Sequence, residues 1–387
     1  MTRLTRFVIV ACACGLVWSA RNIVTAQAPI PLRPAADKGA VIGTGTFTGF
    51  VENMDRSLAF YQQAFGMSVP ALPASGERPY NNPNPRLFAM FDIPGAKERH
   101  QSARVPGSTL GVELMEIQNV EHRTIPMRSQ DPGIATLVFV VRDLDAALSR
   151  ARQAKAVVVT PGDMPVQLAD GGRAILIRDL DQRPIELRQP PTFTEADEAA
   201  GTNILDLRLS IAVADLSQTT KVYRDVLGFT VEGDTAFSAD ASVRALTGLM
   251  KAEVRRNRAR APGSALWIEF VEYKGVEREP QRMRIQDRGA ARLQVRAQNV
   301  DALVDAMKRA GLKVVSEGGV AVPIPPNLKG ALVADPNNFF LTPFARATAA
   351  HRRRHVGAGF SRPGWAMRGY KTSSRSSGNT FDTFFRR

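Results

Sequence analysis

Cysteine is almost missing from this chain of 387 residues; the two present, Cys12 and Cys14, both lie near the amino terminus. If that segment is removed, the remaining chain can hold no disulfide, thiolate ligand or cysteine nucleophile. It must rely on its core, and about 300 residues are enough to build one. Histidine is nearly as scarce, with only His100, His122, His351 and His355. No apolar run is long enough to cross a bilayer: residues 7–20, FVIVACACGLVWSA, fall short of the ~20 that a spanning helix needs. Acidic residues are absent from 1–26 and reduced to Asp382 in 345–387.

That last shortage explains the net charge of +14. Residues 1–26 carry Arg3, Arg6 and Arg21, and 345–387 carry ten Lys or Arg, which leaves 38 basic and 36 acidic residues for 27–344. The segment able to fold is therefore close to neutral, and no nucleic-acid partner is expected. A composition 44% hydrophobic and 23% charged excludes wholesale disorder.

The basic start MTRLTR, the short apolar run and the small residues after it read as a secretory signal peptide over 1–28, cleaved after Ala28 or Ala26. An exported protein, periplasmic or secreted, with no stable membrane span after cleavage, is the resulting expectation. An uncleaved anchor is the alternative. Residues 345–387, with HRRRH, SSRSSGNT and FFRR, have no helical or strand periodicity and are predicted to be disordered. Adhesion to an anionic lipid or polymer, an inert tail, and an altered reading frame past an end near Pro343 are the readings of this segment.

Between the ends the sequence repeats. PGSTLGVELMEIQNVEHRTIPMRSQDPG at 106–133 recurs as PGSALWIEFVEYKGVEREPQRMRIQDRG at 262–289, so that Glu113 falls on Glu269 at an offset of 156. Val120, Glu121, Met127, Arg128, Gln130, Asp131 and Gly133 all meet identical residues at that offset, without a gap. The polar, proline-paired stretch between the copies suits a linker over 191–203. His122 falls on Arg278, which suggests a solvent-facing linker residue.

Each copy looks double in turn. Strand patterns followed by amphipathic helices begin near 44, 134, 204 and 291. In LDLRLSIAV the apolar Leu205, Leu207, Leu209, Ile211 and Val213 alternate with Asp206, Arg208, Ser210 and Ala212, the period of a half-buried strand. Asn53, Asp143, Asp215 and Asn299 are the expected N-caps, with Gly66, Gly228 and Gly311 as stops. The predicted unit is βαβββ, four times over.

The stretches NMDRSLAFYQQAFGMSV, ADLSQTTKVYRDVLGFTV and ILIRDLDQRPIEL resemble the vicinal oxygen chelate superfamily, which includes glyoxalase I, bleomycin-resistance proteins and extradiol dioxygenases. The resemblance covers about 40–344. It implies an α+β fold of two domains, 40–190 and 204–344, each of two paired βαβββ modules that form a cupped mixed sheet with the ligand inside. The family spans lyases, dioxygenases, epimerases and plain binders, so fold alone does not give function.

The resemblance also locates candidate residues. Ligands in the family come from the first strand, usually His, and the last strand, usually Glu. Counting from the N-caps gives Thr46, Thr136, Arg208 and Arg292 on first strands, and Glu113, Glu186, Glu269 and Thr342 on last strands. No histidine occupies these places, so the two histidines and one carboxylate of a ring-cleaving dioxygenase are missing. The first cup would combine Glu113 and Glu186 with Thr46 and Thr136. Phe50, Val138, Val140 and Met115 would surround them. Such a set could hold a hard divalent ion, the only cofactor expected, or use a carboxylate of raised pKa as acid or base. The alternative is that both glutamates are satisfied locally, for instance by Arg188. The second cup would combine Arg208, Glu269 and Arg292, which repel a cation; it reads either as an anion site or as a buried network that only sets shape. The expected function is binding of a small organic ligand, with lyase or isomerase chemistry on Glu113 and Glu186. The rival is a non-catalytic binder that sequesters a drug or metabolite.

Overall fold

The computed structural model describes residues 39–80, 85–108, 110–233 and 236–346. Within them the chain forms four modules. The first holds β1 (Val41–Phe50), α1 (Met54–Phe65), α2 (Pro85–Phe91), β2 (Lys97–Arg104) and β3 (Gly111–Gln118). The second holds β4 (Ala135–Val141), α3 (Leu144–Gln153), β5 (Arg173–Arg178) and β6 (Pro184–Gln189). The third holds β7 (Ile204–Ala212), α4 (Leu216–Lys221), α5 (Ala241–Thr247), β8 (Glu253–Arg260) and β9 (Trp267–Lys274). The fourth holds β10 (Ala291–Ala297), α6 (Val300–Arg309), β11 (Val333–Ala334) and β12 (Phe340–Arg346). Shorter strands and a bridge at Ser68 complete the βαβββ plan. The repeat is structural as well, since β3 and β9 start and end at residues 156 apart.

Each of the four anticipated caps closes on its own helix. Asn53 accepts from the Arg56 amide at 2.9 Å, Asp143 from Ala146 at 2.9 Å, Asp215 from Ser217 at 2.7 Å and Asn299 from Asp301 at 3.1 Å. These bonds satisfy amides that a helix start leaves without partners. Gly66 ends α1 at φ 66°, a left-handed conformation that glycine takes without Cβ strain.

The modules assemble into two nine-stranded mixed sheets. In every module the first and last long strands run parallel and the middle one is antiparallel to the last. The sheets are completed across antiparallel first-strand pairs, β1 with β10 and β4 with β7. Sheet A therefore runs β11-β12-β10-β1-β3-β2 and sheet B runs β8-β9-β7-β4-β6-β5, with the short strands at their edges.

This pairing corrects one expectation. The halves 40–190 and 204–344 do not each close a cup; each contributes one module to each sheet. Sheet A takes the first and fourth modules, and sheet B the second and third. A module's period-two pattern specifies its buried face but not its partner, because every first strand offers a similar unpaired edge. The segments 119–134 and 275–290 carry the chain from one sheet to the other, and they hold each other as they cross. Arg123 donates to the buried Asp287 at 2.7 Å, and the Glu279 amide donates to Asp131 at 2.9 Å. His122, expected to face solvent, is half-buried with Nδ1 2.6 Å from the Gln286 carbonyl oxygen.

The helix-bearing faces of both sheets share one apolar core, which includes Phe47, Leu114, Phe139, Leu187, Leu209, Phe270 and Leu293. Phe65 of α1 stacks on Phe139 of sheet B at 4.5 Å. Polar bonds repeat across the pseudo-symmetric halves. Tyr61 donates to Asp179 at 2.9 Å, and its counterpart Tyr223 donates to Asp335 at 3.3 Å. The two hairpin turns thereby anchor helices of the opposite sheet. Between the halves, 191–203 contains a helical turn, Glu195–Ala199, capped by Thr194. No helix among the described residues is long and apolar enough to cross a membrane. The signal-peptide reading of 1–28 and the reading of the tail from 347 onward fall outside the described residues.

Candidate ligand-binding site

Strand alternation puts the odd-numbered residues of both β3 and β9 on concave faces, and the two cups have become very different. In sheet A the hollow is filled. Leu87, Phe88, Met90 and Phe91 of α2 pack with Phe50, Met115 and Phe340 into a closed apolar cluster. Glu113 lies beneath it, accepts from Thr48 Oγ1 at 2.7 Å and faces Arg292 at 3.5 Å. The Arg292 guanidinium is fully buried, donates to Thr342 at 3.4 Å and packs under the Phe91 ring at 5.0 Å. Burial holds it below the usual arginine range, with Glu113 opposing that shift. His100 stands 2.9 Å from Glu98 on the same face. This is a core ion pair whose charges satisfy each other.

Sheet B keeps an open cup. A cavity of about 310 Å³ is lined by Val138, Val140, Arg208 and Trp267 among others, and a second of about 280 Å³ lies under α5, beside Leu246 and Tyr273. Both share Asp170, Glu186, Arg188, Ser210, Arg258 and Glu269, so these residues form the waist of one two-lobed space. The register explains the meeting. Val138 of β4 pairs with Glu186 on one side and Arg208 on the other, and Ser210 of β7 pairs with Thr136 and Glu269.

The waist is short of hydrogen bonds. Neither Glu186 nor Glu269 accepts one from any described residue, and the only cation within 4.0 Å of Glu186 is Arg188, at 3.7 Å. Burial pushes the Glu186 carboxyl up to about 7; Arg188 opposes the rise, Glu269 adds to it, and Arg256 and Arg208 oppose it more weakly. Three of the arginines are held by their own carboxylates: Arg188 by Asp170 at 2.5 Å, Arg208 by Asp206 at 2.7 Å and Arg256 by Asp240 at 2.6 Å. Arg258 has no ion-pair partner among the described residues.

The sequence-based candidates therefore separate. Glu113 and Glu186 lie in different sheets, so they share neither a metal, a proton nor a ligand group. The carboxylate that raises Glu186 is Glu269. The expected Arg208–Glu269–Arg292 set is likewise split, since Arg292 belongs to sheet A. The first-strand positions fall two residues further along than counted. Thr48, Val138, Ser210 and Gln294 stand beside Glu113, Glu186, Glu269 and Thr342. Thr46 is half-buried in an irregular stretch of β1 between Thr44 and Phe47, and Thr136 is buried opposite Ser210. Arg258 and Trp267 were missed by sequence reasoning, although Arg258 shares the alternation of Arg256 and Arg260, and Trp267 that of Glu269.

The donor set does not fit the metal of the family. No group of three His, Cys, Asp or Glu side chains that could hold an ion occurs among the described residues. At the waist the carboxylates of Asp170, Glu186 and Glu269 and the Ser210 hydroxyl are interspersed with the guanidinium groups of Arg188 and Arg258, which oppose a cation.

The fold is thus two cupped sheets of paired βαβββ modules, one with its hollow packed by side chains and one holding an open cavity. The model of the Glyoxalase/Bleomycin resistance protein/Dioxygenase superfamily matches residues 44–187 and 207–322, more than half of the chain, which belongs to that family. Similar solved structures include glyoxalase I from Zea mays, 14% identical, covering 83% of this chain and 97% of that one with a TM-score of 0.48. A putative dioxygenase from Bacillus subtilis subsp. subtilis str. 168 is 13% identical, covering 84% and 92% with a TM-score of 0.48. A glyoxalase family protein from Bacillus cereus is 18% identical, covering 38% and 93% with a TM-score of 0.31. Comparison with curated protein sequences finds no match.

Proposed function

We propose that this protein binds a small organic molecule in the cup of sheet B and exchanges a proton with it through Glu186, as a lyase or isomerase would. The observation that carries the reading is Glu186 itself: a carboxylate at the waist of the cavity, without a hydrogen-bond donor and raised to about 7. Near that pH both protonation states are populated, which is what a group that takes and returns a proton requires. Arg188, Arg208 and Arg256 already have carboxylate partners, so they can set the potential of the cup without closing onto Glu186. The proposal includes export, which rests on the basic, apolar and small-residue order of the amino-terminal sequence.

A non-catalytic binder is the second reading. It is favoured by the poor metal donor set, since a binder needs only shape and charge complementarity. One experiment separates the two. Small carboxylic and amino acids are screened by thermal shift against the wild type, Glu186→Gln and Glu113→Gln, and each stabilising compound is followed by proton NMR in D₂O. Catalysis predicts loss of a carbon-bound proton signal with the wild type and Glu113→Gln, and none with Glu186→Gln. Stabilisation without exchange in any variant favours the binder. Exchange that persists in Glu186→Gln contradicts the proposal.

A further inference from the structure

The charges around the cup are balanced in a way that specifies the ligand. The first lobe is lined by Asp170, Glu186 and Glu269 against Arg188, Arg208 and Arg258, so it has no excess of either sign to attract a simple anion or cation. Once the hydrogen-bonded ion pairs are set aside, Glu269 and Arg258 remain without an ion-pair partner among the described residues, and Glu186 has only Arg188, at 3.7 Å and without a hydrogen bond. Arg258 and Glu269 are directly opposed across the β8–β9 pair, yet no ion pair joins them within 4.0 Å. Glu232, which flanks Arg258 on its other side, does not reach it either.

We infer that the ligand is a small zwitterion of the α-amino-acid type. Its ammonium group is held by Glu269 and Glu186, its carboxylate by Arg258, and its apolar side chain by the lobe that contains Trp267. Directly opposed residues of antiparallel strands have α-carbons about 4.5–5.5 Å apart, so a ligand that bridges Arg258 and Glu269 must carry its own two charges close together. An α-amino acid does so. A carboxylate supplies the paired oxygens that a free guanidinium fork accepts best, and an ammonium group supplies the donors that two unsatisfied carboxylates lack. The apolar part follows from the lining: Trp267, Val138, Val140 and Pro190 lie beside the waist, and Arg260 packs over the Trp267 ring at 4.9 Å, which fixes its plane.

This inference rests on the reading of the sheet B cup as the ligand site, and the test distinguishes the two. Isothermal titration would use three probes of nearly equal size: phenylalanine in both enantiomers, phenylacetate and 2-phenylethylamine. Phenylalanine, in at least one enantiomer, is expected to bind at least about tenfold more tightly than either singly charged probe. Arg258→Gln should weaken phenylalanine and phenylacetate by about tenfold and leave 2-phenylethylamine unchanged. Glu269→Gln should weaken phenylalanine and 2-phenylethylamine and spare phenylacetate. A singly charged probe that binds as tightly as phenylalanine, with binding lost on substitution at the waist, overturns the zwitterion while the cup remains the site. Failure of all three probes to bind, or binding insensitive to both substitutions, overturns both readings.

Discussion

Glu186 and Glu269 come from different halves of the sequence, yet they face one cavity, and the charge of Glu269 adds to the upward shift that burial gives Glu186. The repeat equates Glu113 with Glu269, but these two residues have opposite surroundings. Glu113 is satisfied by Thr48 and Arg292 under a plug of α2 side chains, whereas Glu269 accepts no hydrogen bond from the described residues. One position in the repeat has become part of a core in the first module and part of a cavity lining in the third.

Stability should record the raised Glu186. A carboxyl whose pKa is about 7 in the folded state and ~4.5 when unfolded binds its proton more tightly when folded. Its contribution is fully present below pH ~4.5 and is lost as pH rises through about 7. Arg188, Arg208, Arg256 and Glu269 are the charged groups that act on it. Glu186→Gln should match the wild type at pH 4 and exceed it at pH 8 by up to about 3 kcal/mol. Denaturant unfolding at the two pH values checks this. A variant that loses stability at pH 8 contradicts it.

Glu113→Gln should do the reverse. It leaves the buried Arg292 charge without its counter-ion, which costs about 3 kcal/mol or more, while ligand binding in the other sheet stays unchanged. Thermal unfolding together with titration of a ligand found by the screen measures both effects. Loss of ligand affinity with unchanged stability would return the site to sheet A.

The two Tyr–Asp bonds give a graded prediction. Tyr61→Phe removes a 2.9 Å bond to Asp179 and should cost about 1–3 kcal/mol. Tyr223→Phe removes the longer 3.3 Å bond to Asp335 and should cost less. Chemical denaturation of both variants tests the order.

Much of this architecture was legible in the sequence. The offset of 156, the period-two strands and the four N-caps are local signals, and each corresponds to an observed element. Partner choice was not legible, because β1 can offer the same edge to the first strand of the second or of the fourth module. Counting back from the N-caps also missed by the same two residues in all four modules, since Thr48, Val138, Ser210 and Gln294 stand beside the last-strand positions where Thr46, Thr136, Arg208 and Arg292 were expected. The fate of each cup was hidden for a related reason. α2 plugs sheet A through Leu87, Phe88 and Phe91, and nothing in the pattern PRLFAMF says which sheet it covers.

The central claim is that Glu186 is poised to exchange a proton with a ligand in the cup of sheet B. The most direct test is a carbon-13 NMR titration of the glutamate side-chain carboxyls, with Glu186→Gln used to assign the resonance. A midpoint near 7 that falls in Glu269→Gln is the predicted result. A midpoint near 4.3, the ordinary glutamate value, or one insensitive to Glu269, would contradict the account.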